Sequence, residues 1–189
     1  KEEKEYVDNI VDSSKRMANL IQNMLKLNKL EKQTITPTAE VYDVCAQLCE
    51  CAVQFEDSWE KKNLELNVEM EDRAFIFADP GLMELVWNNL LSNAIKYNRE
   101  GGTITISQTS DESFVRISVA DSGCGMSEKV IAHIFDKFYQ ADESHAAFGN
   151  GLGLSLVKRV LELSDASIMV ESTPETGSVF TVILGKVKR

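Results

Sequence analysis

The sequence predicts a two-layer α/β sandwich, in which a mixed sheet packs on about three helices, with a long helix at the N-terminus. The length of 189 residues leaves room for one core and a small appendage. Segments of alternating apolar residues are interleaved with segments of three-to-four apolar spacing, which is typical of mixed α/β domains. The first 33 residues carry the helical spacing without a glycine or proline, so they predict one continuous helix.

The composition is that of a folded protein. Hydrophobic residues make up 43% and charged residues 26%, with only 3 prolines, which excludes a disordered or collagen-like chain. The net charge of −10 opposes nonspecific binding to duplex nucleic acid, so no nucleic-acid partner is expected. No apolar run approaches the roughly 18 residues of a transmembrane helix, and the N-terminal segment lacks the pattern of a signal peptide. We therefore expect neither a transmembrane helix nor a signal peptide in this sequence.

The cysteine pattern predicts reduced, structural thiols. Cys45, Cys49, Cys51 and Cys124 include no CxxC pair and no partnering histidine, so they do not form a zinc motif. Unpaired thiols of this kind are typical of a cytosolic compartment.

The N-terminal helix, residues 1–33, presents a wide apolar seam that runs from Val7 to Leu30. A seam wider than one face of a surface helix implies a partner helix. The alternative is a helix that folds back on its own domain. Residues 34–38, with Pro37, are expected to form a short linker to a domain of residues 39–189.

Four further helices are predicted from apolar spacing and from residues that start or stop a helix. Asp79 and Pro80 have the residue types of an N-cap and a first helical position, and Gly101 and Gly102 follow the end of that helix. The predicted helices are 41–61, 80–98, 128–135 and 151–163.

Six strands are predicted from alternating or continuous apolar runs. Segments 103–109 and 113–120 are expected to pair as an antiparallel hairpin that turns at residues 110–112. The predicted strands are 64–68, 74–78, 103–109, 113–120, 167–171 and 178–184.

Polar residues interrupt the apolar stripe of the predicted helix 80–98. At 100° per residue, Asn89, Asn93 and Lys96 fall within about 40° of Leu82. Buried amides need a partner, so these positions face either solvent or a ligand. If they line a pocket, the two amide oxygens suit Mg²⁺ and the lysine suits a phosphate. The alternative is that Leu91 and Ile95 mark the buried face and the asparagines point to water.

Two glycine-bearing segments have the pattern of ligand loops. In 121–126, Gly123 and Gly125 permit close backbone approach, and Asp121 could accept a hydrogen bond from an exocyclic amine such as that of adenine. In 149–154, free backbone N–H groups at a helix start could bind phosphate, although the P-loop lysine is missing. The alternatives are an ordinary helix cap for the first segment and a flexible hinge for the second. The polar stretch 137–148 has the composition of a mobile lid.

Four boxes of residues occur in the order and spacing of one known family. Residues 89–97 (NLLSNAIKY) match its N box, and 121–126 (DSGCGM) match its first glycine box. Residues 135–139 (FDKFY) match its F box, and 149–154 (GNGLGL) match its second glycine box. The chain thereby resembles the ATP-binding catalytic domain of a bacterial sensor histidine kinase, a member of the GHKL ATPase superfamily.

The resemblance covers nearly the whole chain. It implies the GHKL, or Bergerat, form of the α/β sandwich for residues 39–189. Residues 1–33 resemble the second helix of the dimerisation and histidine-phosphotransfer hairpin that precedes this domain in the family.

The resemblance also implies roles for single residues. Asp121 would accept from the adenine amine, Gly123 and Gly125 would let the base lie close, and Tyr97 would flank the nucleotide. Asn93 would hold Mg²⁺. The other implied contacts are Asn89 to the ion or its waters, Lys96 and the backbone of 149–153 to phosphates, Phe135 and Phe138 as lid anchors, and Lys137, Gly149, Gly151, Leu152, Gly153 and Leu154 to the nucleotide.

The implied activity is transfer of the γ-phosphate of ATP, with Mg²⁺, to a histidine on the hairpin of the same kinase. The implied partners are ATP or ADP, that hairpin and a response regulator. The parent protein would be a homodimer, and this chain would be a cytoplasmic part of a membrane-bound sensor without membrane contact of its own.

The chain departs from the family pattern in three places, of which one, Ala166 where a glycine is common before a late strand, is expected to be structural only. It lacks the acceptor motif of a histidine followed by an acidic residue and Arg-Thr-Pro, so the acceptor is expected outside the chain. His133 is expected to pack in an apolar helix, and His145 lies in the lid. Residues Ser144 to Ala147 stand where many relatives place arginines, and Lys137 or His145 are the candidates to replace them.

Two other functions stay open at this point. One is an ATP-binding interaction module without phosphotransfer. The other is an anti-sigma-type serine kinase, which the long N-terminal helix disfavours.

Overall fold

The computed structural model describes residues 2–32, 36–141 and 151–187. In these ranges the helices are α1 (Glu2–Glu31), α2 (Val44–Val53), α3 (Glu56–Glu60), α4 (Pro80–Lys96), α5 (Glu128–Ile131) and α6 (Gly153–Leu163). The strands are β1 (Glu40–Asp43), β2 (Glu65–Glu69), β3 (Phe75–Ala78), β4 (Thr103–Ser110), β5 (Phe114–Asp121), β6 (Ser167–Thr173) and β7 (Gly177–Gly185).

A five-stranded sheet in the order β2-β4-β5-β7-β6 forms one layer of the domain. The β2 and β4 strands pair in parallel and the other neighbours pair in antiparallel fashion, so the sheet is mixed as predicted. The predicted hairpin is confirmed, and its register places Ile104 opposite Asp121. The strands β1 and β3 form a separate antiparallel pair.

The second layer consists mainly of α2, α4 and α6. The two longer helices, α4 and α6, pack on each other, and their apolar faces close the core over the sheet. Trp87, Leu90 and Leu91 of α4 are buried, as are Ile106 and Ile117 of the sheet. This arrangement confirms the predicted α/β sandwich.

The start of α4 follows the predicted signals. The side chain of Asp79 accepts a hydrogen bond from the N–H of Leu82 at 3.1 Å, and Pro80 occupies the first turn. Because α4 contacts α2, α6 and β5, it is buried on more than one side. Leu82 and Leu91 are therefore both in the core, although they lie on different faces of the helix.

The predicted helix 41–61 is wrong at its start and in its length. Residues 40–43 form β1, and the helix is divided into α2 and α3 by a turn at 54–55. The carboxylate of Asp43 accepts from the N–H of Cys45 at 3.1 Å and from the N–H of Ala74 at 3.2 Å. It thus caps α2 and also fixes the strand to a segment far along the chain, which local periodicity does not register.

The predicted helix 128–135 is also too long. It ends at Ile131, and a series of turns follows, with hydrogen bonds from His133 to Val130 and from Asp136 to His133. The backbone of Phe138 has a φ of 64° and donates its N–H to the carbonyl of Gly151 at 2.9 Å. The chain therefore leaves the helix early in order to meet the start of the α6 segment.

The helix α1 is docked by its last turns, and most of its described apolar side chains further upstream are exposed. Its last turns bury Leu27 and Leu30, pack on α6, and accept a hydrogen bond from Arg159 at the carbonyl of Leu30 (3.3 Å). Upstream, apolar side chains of the seam such as Ile10 and Met17 are exposed. The end of α1 thus folds back on the domain, and the upstream seam remains available for a partner helix. The division at residues 33 and 39 stays a prediction.

Within the described ranges, no helix combines the length and the apolar character needed to cross a membrane.

Candidate functional site

A cavity of about 430 Å³ opens between α4, the loop that follows β5, and the start of β7. This volume lies in the range of small-molecule sites. One part of its wall is polar and another is apolar. Its lining consists of Asn93, Tyr97, Asp121, Cys124, Gly125, Met126, Val130, Ile134, Tyr139, Gln140, Ala141, Leu154, Glu175, Ser178 and Phe180.

Asp121 is the last residue of β5 and lies opposite Ser178 of β7. Its carboxylate accepts hydrogen bonds from the backbone N–H of Gly123, at 2.8 Å, and from that of Ser178. Burial raises the pKa of Asp121, and these two N–H groups oppose the rise. The β5 strand thus delivers a desolvated hydrogen-bond acceptor to the cavity wall.

The loop 121–126 requires its glycines for contacts within the protein. A Cβ at Gly123 would overlap the carbonyl of Tyr97, and a Cβ at Gly125, whose φ is +61°, would overlap the carbonyl of Thr173. The N–H of Cys124 donates to the Tyr97 carbonyl at 3.1 Å. The loop is therefore held between the end of α4 and the end of β6, a constraint that operates without any ligand. Gly125 also lines the cavity, whereas Gly123 lines a smaller recess beside it.

Asn89 and Asn93 of α4 are half-buried and lie one helical turn apart. Asn93 lines the cavity. Asn89 donates from Nδ2 to the carbonyl of Leu85 at 2.7 Å, and a Cβ added to Gly153 would lie 2.5 Å from its Oδ1. The amide of Asn89 is thus packed against the start of α6. The polar stripe predicted on this helix lies at the site, and the asparagines do not point fully to water.

Lys96 and Tyr97 form the end of the same wall. The ammonium of Lys96 lies 4.1 Å from the centroid of the Tyr97 ring. Tyr97 lines the cavity, and both residues line the adjoining recess of about 200 Å³ together with Arg99. Two basic residues, Lys96 and Arg99, therefore border the cavity, together with the acidic Glu175. In a chain of net charge −10, such basic residues would be needed to bind an anionic group of a ligand.

The second glycine segment is only partly described. Gly149 and residues 144–147, with His145, lie outside the described residues. Gly151, with a φ of +67°, packs on the backbone of Phe138, and Gly153 starts α6 beside Asn89. Leu154 lines the cavity, whereas Leu152 is buried and is not part of the lining.

Lys137 lies outside the cavity lining. Its ammonium pairs with the carboxylate of Glu31, at the end of α1, at 2.5 Å. Both side chains are about half exposed, so the pair contributes little to stability. The expected contact of Lys137 with a nucleotide would require this pair to open.

His133 does not pack in the interior as predicted. It is exposed, and its Nδ1 lies 2.8 Å from a carboxylate oxygen of Asp136. The early end of α5 turns the side chain outward, whereas Val130 and Ile134 on either side of it line the cavity.

The sequence interpretation missed the contribution of β7. Ser178, Phe180, Val182 and Leu184 alternate along the strand and are all buried, and only the first of them is polar. The polar Ser178 at an inward-facing position of an otherwise apolar strand is the signal in the sequence that could have identified this contribution. Gly177 is also required beside the site, because a Cβ there would overlap the carbonyl of Asp121, a contact between distant segments that the sequence pattern does not indicate.

Comparison with known proteins identifies relatives of the whole arrangement. Residues 78–188 match the family described as histidine kinase-, DNA gyrase B-, and HSP90-like ATPase. The chain is 28% identical over 179 residues to the sensor-like histidine kinase SenX3 of Mycolicibacterium smegmatis, covering 94% of this chain and 47% of that protein. The chain therefore spans about half the length of this curated relative.

Solved structures share the fold. Full-length ShkA in complex with AMPPNP matches with a TM-score of 0.85 and 25% identity, covering 100% of this chain and 40% of that one. Histidine kinase ThkA in complex with the response regulator TrrA matches with a TM-score of 0.79 and 25% identity, covering 98% of this chain and 52% of that one. Because the family model matches more than half of the residues, this chain belongs to the family of histidine kinase-, DNA gyrase B- and HSP90-like ATPases.

Proposed function

We propose that this chain is the ATP-binding catalytic domain of a two-component sensor histidine kinase. The observation that carries the proposal is the 430 Å³ cavity in which Asp121 and Asn93, from two of the matched boxes, line one space. The AMPPNP in the ShkA complex supports ATP as the ligand.

The cavity has the chemistry to bind an adenine ring. Met126, Val130 and Ile134 provide apolar contacts for a planar base, and the carboxylate of Asp121 accepts from its exocyclic amine. Guanine would present a carbonyl oxygen in place of that amine, and two acceptors would then face each other. The site is therefore expected to favour adenine over guanine.

The phosphates would lie toward the polar end of the site. The described residues contain no group of three His, Cys, Asp or Glu side chains suited to a metal ion. A Mg²⁺ ion would thus depend on the amide oxygen of Asn93, supported by Asn89, and on the phosphates themselves. When bound, the ion would neutralise phosphate charge. Lys96, in the adjoining recess, would add a second positive charge.

Phosphoryl transfer would then need an acceptor from outside the chain. An imidazole nitrogen of a separate helical hairpin would attack the γ-phosphorus, and the bond from that phosphorus to the ADP oxygen would break. Fixed placement of the nucleotide would supply most of the rate. The ThkA complex supports a response regulator as the next recipient of the phosphoryl group.

The proposal is tested with radiolabelled ATP and Mg²⁺, using the chain alone and with the hairpin of its parent kinase. We expect acid-labile label on the hairpin and none on this chain, because neither His133 nor His145 is in the family's acceptor context. Label on this chain alone would contradict the external acceptor.

A second function, nucleotide-dependent docking without phosphotransfer, is favoured by one observation. Lys137, a candidate for the missing arginines of the lid, is occupied by Glu31. Tight ATP binding together with an unlabelled hairpin would support this alternative and contradict the kinase proposal.

A further inference from the structure

Lys62, which lies in the turn before β2, reaches the C-terminal end of α4. Its Nζ donates three hydrogen bonds, each of 2.8 Å, to the carbonyls of Ile95, Lys96 and Asn98. An ammonium carries three donors, so its hydrogen-bonding capacity is filled by these carbonyls. Lys62 is half-buried, and desolvation lowers its pKa.

This contact satisfies groups that a helix end leaves without partners. The last carbonyls of a helix have no intrahelical donor, and the negative end of the helix dipole favours a cation. The carbonyl of Asn93, one helical turn before Tyr97, already accepts a hydrogen bond from the N–H of Tyr97. Lys62 therefore pairs the carbonyls at the end of α4 that the helix cannot pair with its own N–H groups.

The fixed segment carries one wall of the site. Tyr97 lies between Lys96 and Asn98, and its ring lines the cavity. Its carbonyl accepts from the N–H of Cys124, and the side chain of Asn98 accepts from the hydroxyl of Ser122 at 3.2 Å. The segment whose carbonyls Lys62 holds is thus also hydrogen-bonded, through the Tyr97 carbonyl and the Asn98 side chain, to the loop that follows Asp121.

We propose that Lys62 is a positioning residue for the nucleotide: by holding the carbonyls on both sides of Tyr97, it sets the wall against which the ligand binds. The inference deepens the proposed function and rests on ATP binding by this cavity. Lys62 does not line the cavity, so its role would be indirect.

The first test replaces Lys62 by methionine, which keeps a long stem and removes the donors. Lys61→Met is the matched control, because Lys61 is the neighbouring lysine and is exposed. Calorimetry with ATP, well below the melting temperature, should give an affinity about tenfold weaker for Lys62→Met and unchanged for Lys61→Met. Circular dichroism confirms that each variant is folded.

The second test separates positioning from a general loss of stability. If Lys62 acts through the Tyr97 wall, Lys62→Met should weaken ATP binding much less in a Tyr97→Ala background than in the wild-type background. Equal losses in both backgrounds, or wild-type affinity in Lys62→Met, would overturn the inference. If the methionine variant does not fold, Lys62→Gln replaces it in the same cycle with the same expected coupling.

The experiment distinguishes failure of this inference from failure of the proposed function. Failure of the wild-type chain to bind ATP would refute the proposed function before any variant is compared. ATP binding by the wild type, with Lys62 variants indistinguishable from Lys61→Met, would refute the role of Lys62 alone.

Discussion

Replacement of Asp121 by asparagine should weaken ATP binding strongly while leaving the fold intact. In the free protein the carboxylate already accepts from the N–H groups of Gly123 and Ser178, and the adenine amine would be a third donor. Asparagine offers one acceptor oxygen and one NH₂ group. At least one of the three donors would then face another donor.

The size of the effect follows from that mismatch. A lost hydrogen bond to a charged group costs about 1.5–3 kcal/mol, and an unsatisfied buried group costs about 1–3 kcal/mol. The two overlap, so we expect about 2–4 kcal/mol, or an affinity about 30- to 700-fold weaker. Isothermal titration calorimetry with ATP measures it. Asp72→Asn, at an exposed position in the β2–β3 connection, is the control and should bind as the wild type does.

The pKa of Asp121 adds a pH dependence with a definite sign. Because burial raises this pKa, protonation begins at a higher pH than for an ordinary aspartate, and a protonated carboxyl presents an O–H to the adenine amine. ATP affinity should therefore fall on acidification in the wild type, while Asp121→Asn should lack this contribution.

The pH dependence of folding stability has the opposite sign to that of ATP affinity. A raised carboxyl pKa gives stability below the unfolded-state pKa that is lost as the pH rises through the folded-state value. Asp121→Asn should consequently unfold in urea at pH 7 no more easily than the wild type. An asparagine variant that is stable and binds ATP with wild-type affinity would refute the role of Asp121 in base recognition.

Three further predictions concern other parts of the chain. Asn93→Ala should abolish labelling of the hairpin by Mg·ATP but preserve part of the adenine affinity, as measured by radiolabel transfer and calorimetry. Leu30→Ala removes a fully buried side chain, so the free energy of unfolding in urea should fall by about 2–5 kcal/mol. Gly125→Ala should lower the melting temperature sharply in calorimetric scans, because its φ of +61° and the Thr173 carbonyl leave no space for a Cβ.

Local signals predicted the parts of the site that are continuous in sequence. The Asp79 cap, the polar stripe of α4 and the acceptor at the end of β5 each depend on residues a few positions apart, and the structure has the cap and brings Asn93 and Asp121 to one cavity. The specific nucleotide and metal roles of these residues stay predictions. Their shared position in the cavity follows from the fold and does not by itself identify the ligand.

Contacts between distant segments could not be predicted in the same way. Strand β1 was missed because its partner is β3, and a four-residue strand has too little pattern of its own. Lys62 meets carbonyls 33 to 36 residues further along the chain. Ser178 reaches the site only because β7 pairs with β5. The exposure of His133 follows from the end of α5 at Ile131, which the apolar spacing of residues 128–135 does not indicate.

The attachment of α1 by its last turns makes this helix a lever. At 1.5 Å per residue, the portion from Glu2 to the docked Leu27 extends roughly 37 Å beyond its fulcrum on α6. A tilt of about 5° at the docked end displaces the far end by about 3 Å over that length. Conversely, a displacement of a few ångströms at the far end rotates the docked end by only a few degrees. That rotation would act on Leu30 and Glu31, which contact Arg159 and Lys137.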